Sequence, residues 1–365
     1  MGFGLQITPD SNWPAISLDA SVRVPQYCGD FAAKYDANFK QIGNPLVVGG
    51  AWVPIPNYVA GSEVVTLADS LGGMGLNLGM SGDKRPTYWR NFSGGIEVSG
   101  GNIRAIKPAG GSWATIQNCR VFQLLPVGTN NFGLRIFDSN STNMMAISNL
   151  GNCLRPIWKS KQIVNGKFLA PTVAGYGDKS KYIIFARTNN PNVGISMNLG
   201  LGILPPSGFD WGAGFSVLTI NNNEQYNMQG TSASAEFEIV IFYPVAPERS
   251  AAGLNILDAS GRITFSTKHT PFILNGWLSI GTNKSAWYTP SYFGGVAASR
   301  PMIPVTYGGF EFKANDRQRH IGIRSNGSGF TFTSVASGYT TAGEAAANVY
   351  NTSRFPVIDA KNYFG

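Results

Sequence analysis

A hairpin signature recurs three times along this chain at domain-sized spacing, and that recurrence restricts the fold more than any other feature. The last copy, residues 253–266, reads GLNILDASGRITFS. Leu254 and Ile256 alternate with polar Asn255, the period-2 pattern of a half-buried strand. The turn Asp258-Ala259-Ser260-Gly261 follows, where Asp hydrogen-bonds forward to the backbone and Gly accepts positive φ. Ile263 and Phe265 then alternate with Thr264 and Ser266 on a return strand. The first copy runs Gly4-Leu5-Gln6-Ile7, Asp10-Ser11-Asn12 and Ala15-Ile16-Ser17-Leu18. The second runs Gly133-Leu134-Arg135-Ile136, Asp138-Ser139-Asn140 and Met145-Ala146-Ile147-Ser148. Their starts lie 129 and 120 residues apart, the length of one domain each.

The flanks agree with the repeat. Residues 120–126 (RVFQLLP) precede the second copy, residues 237–244 (FEIVIFYP) precede the third, and residues 354–359 (RFPVID) lie near the end of the chain. Each reads as a strand closing one unit. The chain is therefore expected to be all-β, a tandem of three β-sandwich-like units over 1–127, 128–250 and 251–365, each opening with a Gly-Leu-x-Ile hairpin. Composition supports this. Charged residues are only 13% and Gly numbers 45, so polarity comes from Asn, Ser, Thr and Gly, the residues of turn-rich β structure. Helical periodicity is confined to short stretches near 31–39 and 342–350. Asn326-Gly327, between two alternating runs, is a strong hairpin turn. The glycine-dense segment 72–79 lacks the Lys-Ser/Thr and the helix of a phosphate-cradling loop, and reads as a loop or bulged strand.

The net charge is +8 and unevenly placed. Residues 251–365 hold ten basic and five acidic side chains, against nine and eight in 1–127 and nine and seven in 128–250. Arg317, Arg319 and Arg324, near His320, belong to the surplus. A basic face suits an anionic polysaccharide, whereas no Lys/Arg run or RNA-binding signature points to nucleic acid. The cysteines Cys28, Cys119 and Cys153 form no CxxC pair, and are expected to be free and buried in a protein made in a reducing cytoplasm. The start MGFGL has no basic segment followed by an apolar one, and no run approaches a membrane span, so neither a signal peptide nor membrane insertion is expected.

Catalytic chemistry is nearly absent. The two histidines, His269 and His320, stand outside any nucleophile or metal-ligand motif. Glycosidases need paired carboxylates, and the nearest pair, Glu236 and Glu238, alternates along one strand whose polar face reads as exposed. The Asp138-Ser139-Asn140 turn has too few acids for Ca²⁺. No enzyme, cofactor or metal is expected. Exposed aromatics are the remaining candidates, because indole faces stack on sugars. Trp211, in a loop-like GFDWG context, and Trp287-Tyr288 are the possible glycan or receptor contacts, together with Arg317, Arg319 and Arg324.

Residues 252–265 (AGLNILDASGRITF) are similar to the opening of small tail-tip and tail-fibre-associated proteins of siphophages, which also begin with a Gly-Leu/Met-x-hydrophobic strand, an Asp-Ala-Ser-Gly turn and a return strand. The first copy departs from the pattern at Pro9 and Trp13-Pro14, and the second lacks the turn glycine. The resemblance supplies no functional residue. It implies a non-enzymatic virion protein of a tailed phage, made in the bacterial cytoplasm, placed at the tail tip or a fibre and contributing to host adsorption. Its expected partners are other tail proteins, further copies of itself (a homotrimer) and a host surface polysaccharide or receptor. A capsid decoration protein or head fibre, and a glycan-binding receptor-recognition module, are the alternatives. A polysaccharide-degrading tailspike fits least, for want of short β-helical repeats.

Overall fold

In the computed structural model, the described residues are 5–9, 13–19, 22–33, 52–70, 72–77, 87–92, 95–106, 116–126, 133–137, 144–148, 152–197, 214–220, 230–251, 253–306, 308–313, 317–339, 348–351 and 353–365. The fold is all-β. The described helical turns are short, the longest being Lys361–Phe364. The expected helix near 31–39 begins as a strand, since Phe31 lies within Gln26–Ala33, and the one near 342–350 ends as the strand Asn348–Tyr350. Residues 31–33 and 348–350 pair in sheets, and the rest of both segments lies outside the described residues.

All three signature hairpins form. Leu5–Ile7 pairs with Ile16–Leu18, Gly133–Phe137 with Met144–Ser148, and Asn255–Leu257 with Ile263–Ser266, each antiparallel. The third shows why the sequence is what it is. Asp258 Oδ1 accepts hydrogen bonds from Ser260 N (2.9 Å), Ser260 Oγ (2.6 Å) and Arg262 N (2.9 Å), and Gly261 sits at φ +79°. The Ser260 hydroxyl, then the Arg262 backbone, hold the Asp258 carboxyl far below its usual range. The opening glycine is required by crowding, because a Cβ on Gly253 would stand 1.9 Å from Thr267 Oγ1. Expected alternation fails in one place. Leu254 and Leu257 are exposed while Ile256 is half-buried and Phe265 fully buried, and a bulge shifts the register between Ile256 and Leu257.

Each unit repeats one topology. A leading strand pairs with the closing strand, which pairs with a middle strand. These are Gln26–Ala33, Ile116–Leu124 and Glu63–Ser70 in the first unit, and Arg155–Asn165, Ser234–Tyr243 and Ile183–Arg187 in the second. In the third they are Gly276–Leu278, Phe355–Asp359 and Pro301–Pro304. The segments leading into these strands close a ring. Asn152-Cys153 pairs with Tyr27 and Gln26, Phe272 N donates to Leu154 O (3.0 Å), and Arg23 and Leu274 bond reciprocally (2.9 and 2.8 Å). The sheets also run across the boundary at 250. Phe185 and Ala186 face Pro304 and Ile303 in one seven-stranded sheet, and Ile195 faces Ile323 in another.

Closing strands are buried on both faces, which explains their nearly unbroken apolar sequences. Ile239 and Ile241 face the second unit's own sandwich core, while Val240 and Phe242 face a core shared by all three units. Cys119 and Val121 against Phe122 and Leu124, and Phe355 and Val357 against Ile358 and Ala360, divide in the same way. At the shared centre, Phe272 packs against Phe122, Phe185 and Phe242 at 6.1, 5.5 and 5.0 Å between ring centroids. A further shared core gathers the hairpins: Ile7, Ile16 and Leu18, then Leu134 and Ile147, then Ile256 and Phe265. All three cysteines are free and buried, and burial pushes the thiols of Cys28 and Cys153 up to about 12. The segment 72–77 is a strand paired with Thr87–Phe92.

Candidate functional site

The polar groups that sequence reasoning raised fall into two kinds, those locked inside the framework and those left at its surface. Glu238 belongs to the first. It is buried, and its two carboxylate oxygens take Arg187 Nη1 (2.9 Å) and Arg300 Nη1 (2.6 Å). The expectation of an exposed strand face at Glu238 is corrected, because the joined sheets of the second and third units cover it. Arg187 Nη2 continues to Asn189 Oδ1 (2.6 Å) and Gly327 O (3.2 Å), tying the 188–192 turn to the 326–328 turn. Glu236 is exposed and 3.6 Å from Lys161. The two glutamates thus serve separate ion pairs. His320 is also internal, and burial pushes its pKa down to about 4. Among the described residues no three His, Cys, Asp or Glu side chains come together as a metal site, and no helix is long and apolar enough to cross a membrane.

The second kind gathers on the third unit. The loop 281–288 (GTNKSAWY) passes over the strand pair Arg317–Ser325 and Phe330–Tyr339. Its end is fixed by a two-bond bridge, Tyr288 N to Phe330 O and Phe330 N to Tyr288 O, both 2.9 Å. Thr331 Oγ1 and Arg324 Nη2 donate to Lys284 O at 3.4 and 3.3 Å. Trp287 is thereby held outward, 37% exposed, with the Arg324 guanidinium 4.9 Å from its ring centroid. Beneath it, Glu311 is buried and takes Lys284 Nζ (2.8 Å), Arg319 Nη1 (3.4 Å) and the Tyr350 hydroxyl. Burial pushes the Glu311 carboxyl up, but the bonds from Lys284 and Tyr350 and the two cationic charges outweigh it and hold the group below its usual range. Tyr350 moves up, through burial and its bond to Glu311.

Four of the six expected contact residues therefore converge. Trp287 and Arg324 form an outward ledge, Tyr288 anchors its backbone half-buried, and Arg319 supports it from within. Arg317 lies in the strand Arg317–Ser325, with its backbone opposite Lys313 and Tyr339. Trp211 lies outside the described residues. Sequence reasoning missed Lys284, Glu311 and Tyr350, which join the cluster only through sheet pairing. The single local hint was Lys284 standing three residues before Trp287 in one polar loop.

The 326–328 turn forms the rim. Asn326 Oδ1 accepts from Ser328 N (3.1 Å) and Gly329 N (2.7 Å), and Gly327 takes φ +97°. The arrangement offers a rigid aromatic face, a surplus of cations and exposed amide and hydroxyl groups. It offers no activated nucleophile. No curated protein and no solved structure matches this chain. A family described as one of unknown function, DUF6453, matches residues 4–351, and the chain belongs to that family.

Proposed function

We propose that this chain is a non-enzymatic structural protein of a tailed-phage virion, placed at the tail tip or a fibre, where it contributes to host adsorption. Its partners in this reading are other virion proteins, further copies of the chain and a host surface polysaccharide. The observation that carries the reading is the Trp287–Arg324 ledge, an exposed aromatic fixed on a framework of interlocked β units. Rigid presentation suits adsorption, since a contact that needs no ordering on binding loses less entropy. Many copies of a weak contact then supply avidity. The similarity of the third hairpin to siphophage tail proteins supports the same placement.

Immunogold labelling of intact particles with antibody to this chain tests it. Label at the tail tip or fibres is the expected outcome. Label over the head would make the chain a capsid decoration protein, and particles without label would remove it from the virion.

A further inference from the structure

From the geometry of this ledge we propose that it is a binding site for a carboxylate-bearing sugar, an acidic glycan in which one ring stacks on Trp287 and the carboxylate lies toward Arg324 and Lys284. The inference rests on the adsorption reading for its biological setting but on the ledge alone for its chemistry. Three observations support it. The indole is stacked by Arg324 at 4.9 Å yet remains 37% exposed, leaving surface for a second stacking partner. Sugar rings present C–H faces that fit such a surface.

Charge is the second observation. Lys284 and Arg319 both reach Glu311, whereas among the described residues Arg324, stacked on Trp287, has no acidic partner. Among the described residues the Arg324 charge is therefore unmatched, which a neutral glycan would leave so and a carboxylate would meet. A nucleic acid is the poorer fit, because single-strand binding tracks phosphates along a groove with several stacking aromatics. Here one indole and a compact cation group stand at the end of a sandwich.

The third observation is the rim. Asn326 and Ser328 are exposed, and the Asn326 side-chain oxygen is engaged by the turn, so its amide Nδ2 is presented as a donor. Hydroxyl-rich ligands need such groups beside the stacking face.

Titration of the full chain by calorimetry tests the site, with oligogalacturonate as the acidic probe, dextran oligosaccharide of matched length as the neutral one, and single-stranded oligonucleotide as the rival polyanion. Oligogalacturonate should bind, dextran should not, and the affinity should fall with salt. Trp287→Ala and Arg324→Gln should each weaken binding about tenfold, the loss expected for one stacking or charge-assisted contact. Trp52, also exposed and stacked on Arg104 at 4.3 Å, is the remote control, and Trp52→Ala should leave binding unchanged. Arg324→Gln keeps the test decisive should Trp287→Ala fail to fold. Absent binding, equal binding of dextran, tighter binding of the oligonucleotide, or loss confined to Trp52→Ala would each overturn the proposal. None of these outcomes would move the immunogold label, so the sugar site and the virion placement fail separately.

Discussion

At the scale of single residues, burial rather than motif decides what each polar group does. His320 is the clearest case. Only 2% exposed, it is pushed from 6.5 down to about 4 by burial. Between those values the unfolded chain takes up a proton that the folded chain refuses, so the stability present above pH 6.5 is lost as pH falls toward 4. The loss at pH 4.5 is on the order of a few kcal/mol. His269 moves in the same direction, through burial and then Arg155, so a variant is needed to separate the two. Denaturant midpoints for the natural chain and His320→Gln at pH 7.5 and 4.5 provide the measurement. The natural chain should lose more, and equal losses would show that His320 does not control the window. Glu248, held at about 2 by Lys268 and Arg155, also loses stability as pH falls through its free value of 4.5, but both chains share that loss and it cancels in the comparison. None of this was legible in the sequence, where His320 looked like a member of an arginine-rich surface. Glu238 misled for the same reason. A period-2 pattern marks two faces of a strand but cannot say that both are covered, and the arginines that hold Glu238 come from elsewhere in the chain.

At the scale of elements, local chemistry was readable and registration was not. In the third hairpin the turn formed where Asp258, Ser260 and Gly261 marked it, because the Asp258 side chain satisfies the turn backbone within a few residues. The closing strands were equally plain from their apolar runs. The bulge beside Ile256, and the exposure of Leu254 and Leu257 against the burial of Phe265, had no sequence marker. That difference yields an unequal cost. Phe265 is 1% exposed in the core where all three hairpins meet, and Phe265→Ala should remove about 3–5 kcal/mol. Leu257 is 42% exposed, and Leu257→Ala should change stability by no more than about 0.5 kcal/mol. Equal costs, read from urea denaturation, would mean that the hairpins do not share a core. The contact residues show the same division. Trp287 and Arg324 were legible as types, an aromatic in a polar loop and a cation on a basic unit. Their meeting depends on the register of the 317–325 strand with its neighbours, and Lys284 and Glu311 enter by that register alone.

At the scale of the molecule, the three repeats form one body rather than beads on a string. Head-to-tail contacts between repeated units close into rings when the rotation allows. Here the closure lies within one chain, through the pairings at 152–153 with 26–27, 272 with 154, and 23 with 274. The central core takes Phe122 from the first unit, Phe185 and Phe242 from the second, and Phe272, Trp277 and Tyr363 from the third. Removing residues 251–365 would therefore expose the edge of Ile183–Arg187, cut both seven-stranded sheets and open that core. The full chain should unfold in one calorimetric transition whose enthalpy matches its van't Hoff value. The 1–250 fragment should lack the near-ultraviolet circular dichroism of fixed aromatics. Three separate transitions, or a folded fragment, would show that the units are autonomous and the ring incidental. Because truncation is expected to destroy the fold, loss of adsorption in such a fragment would say nothing about where the cell is touched. Point variants on the ledge, which leave the ring intact, are the ones that can locate it.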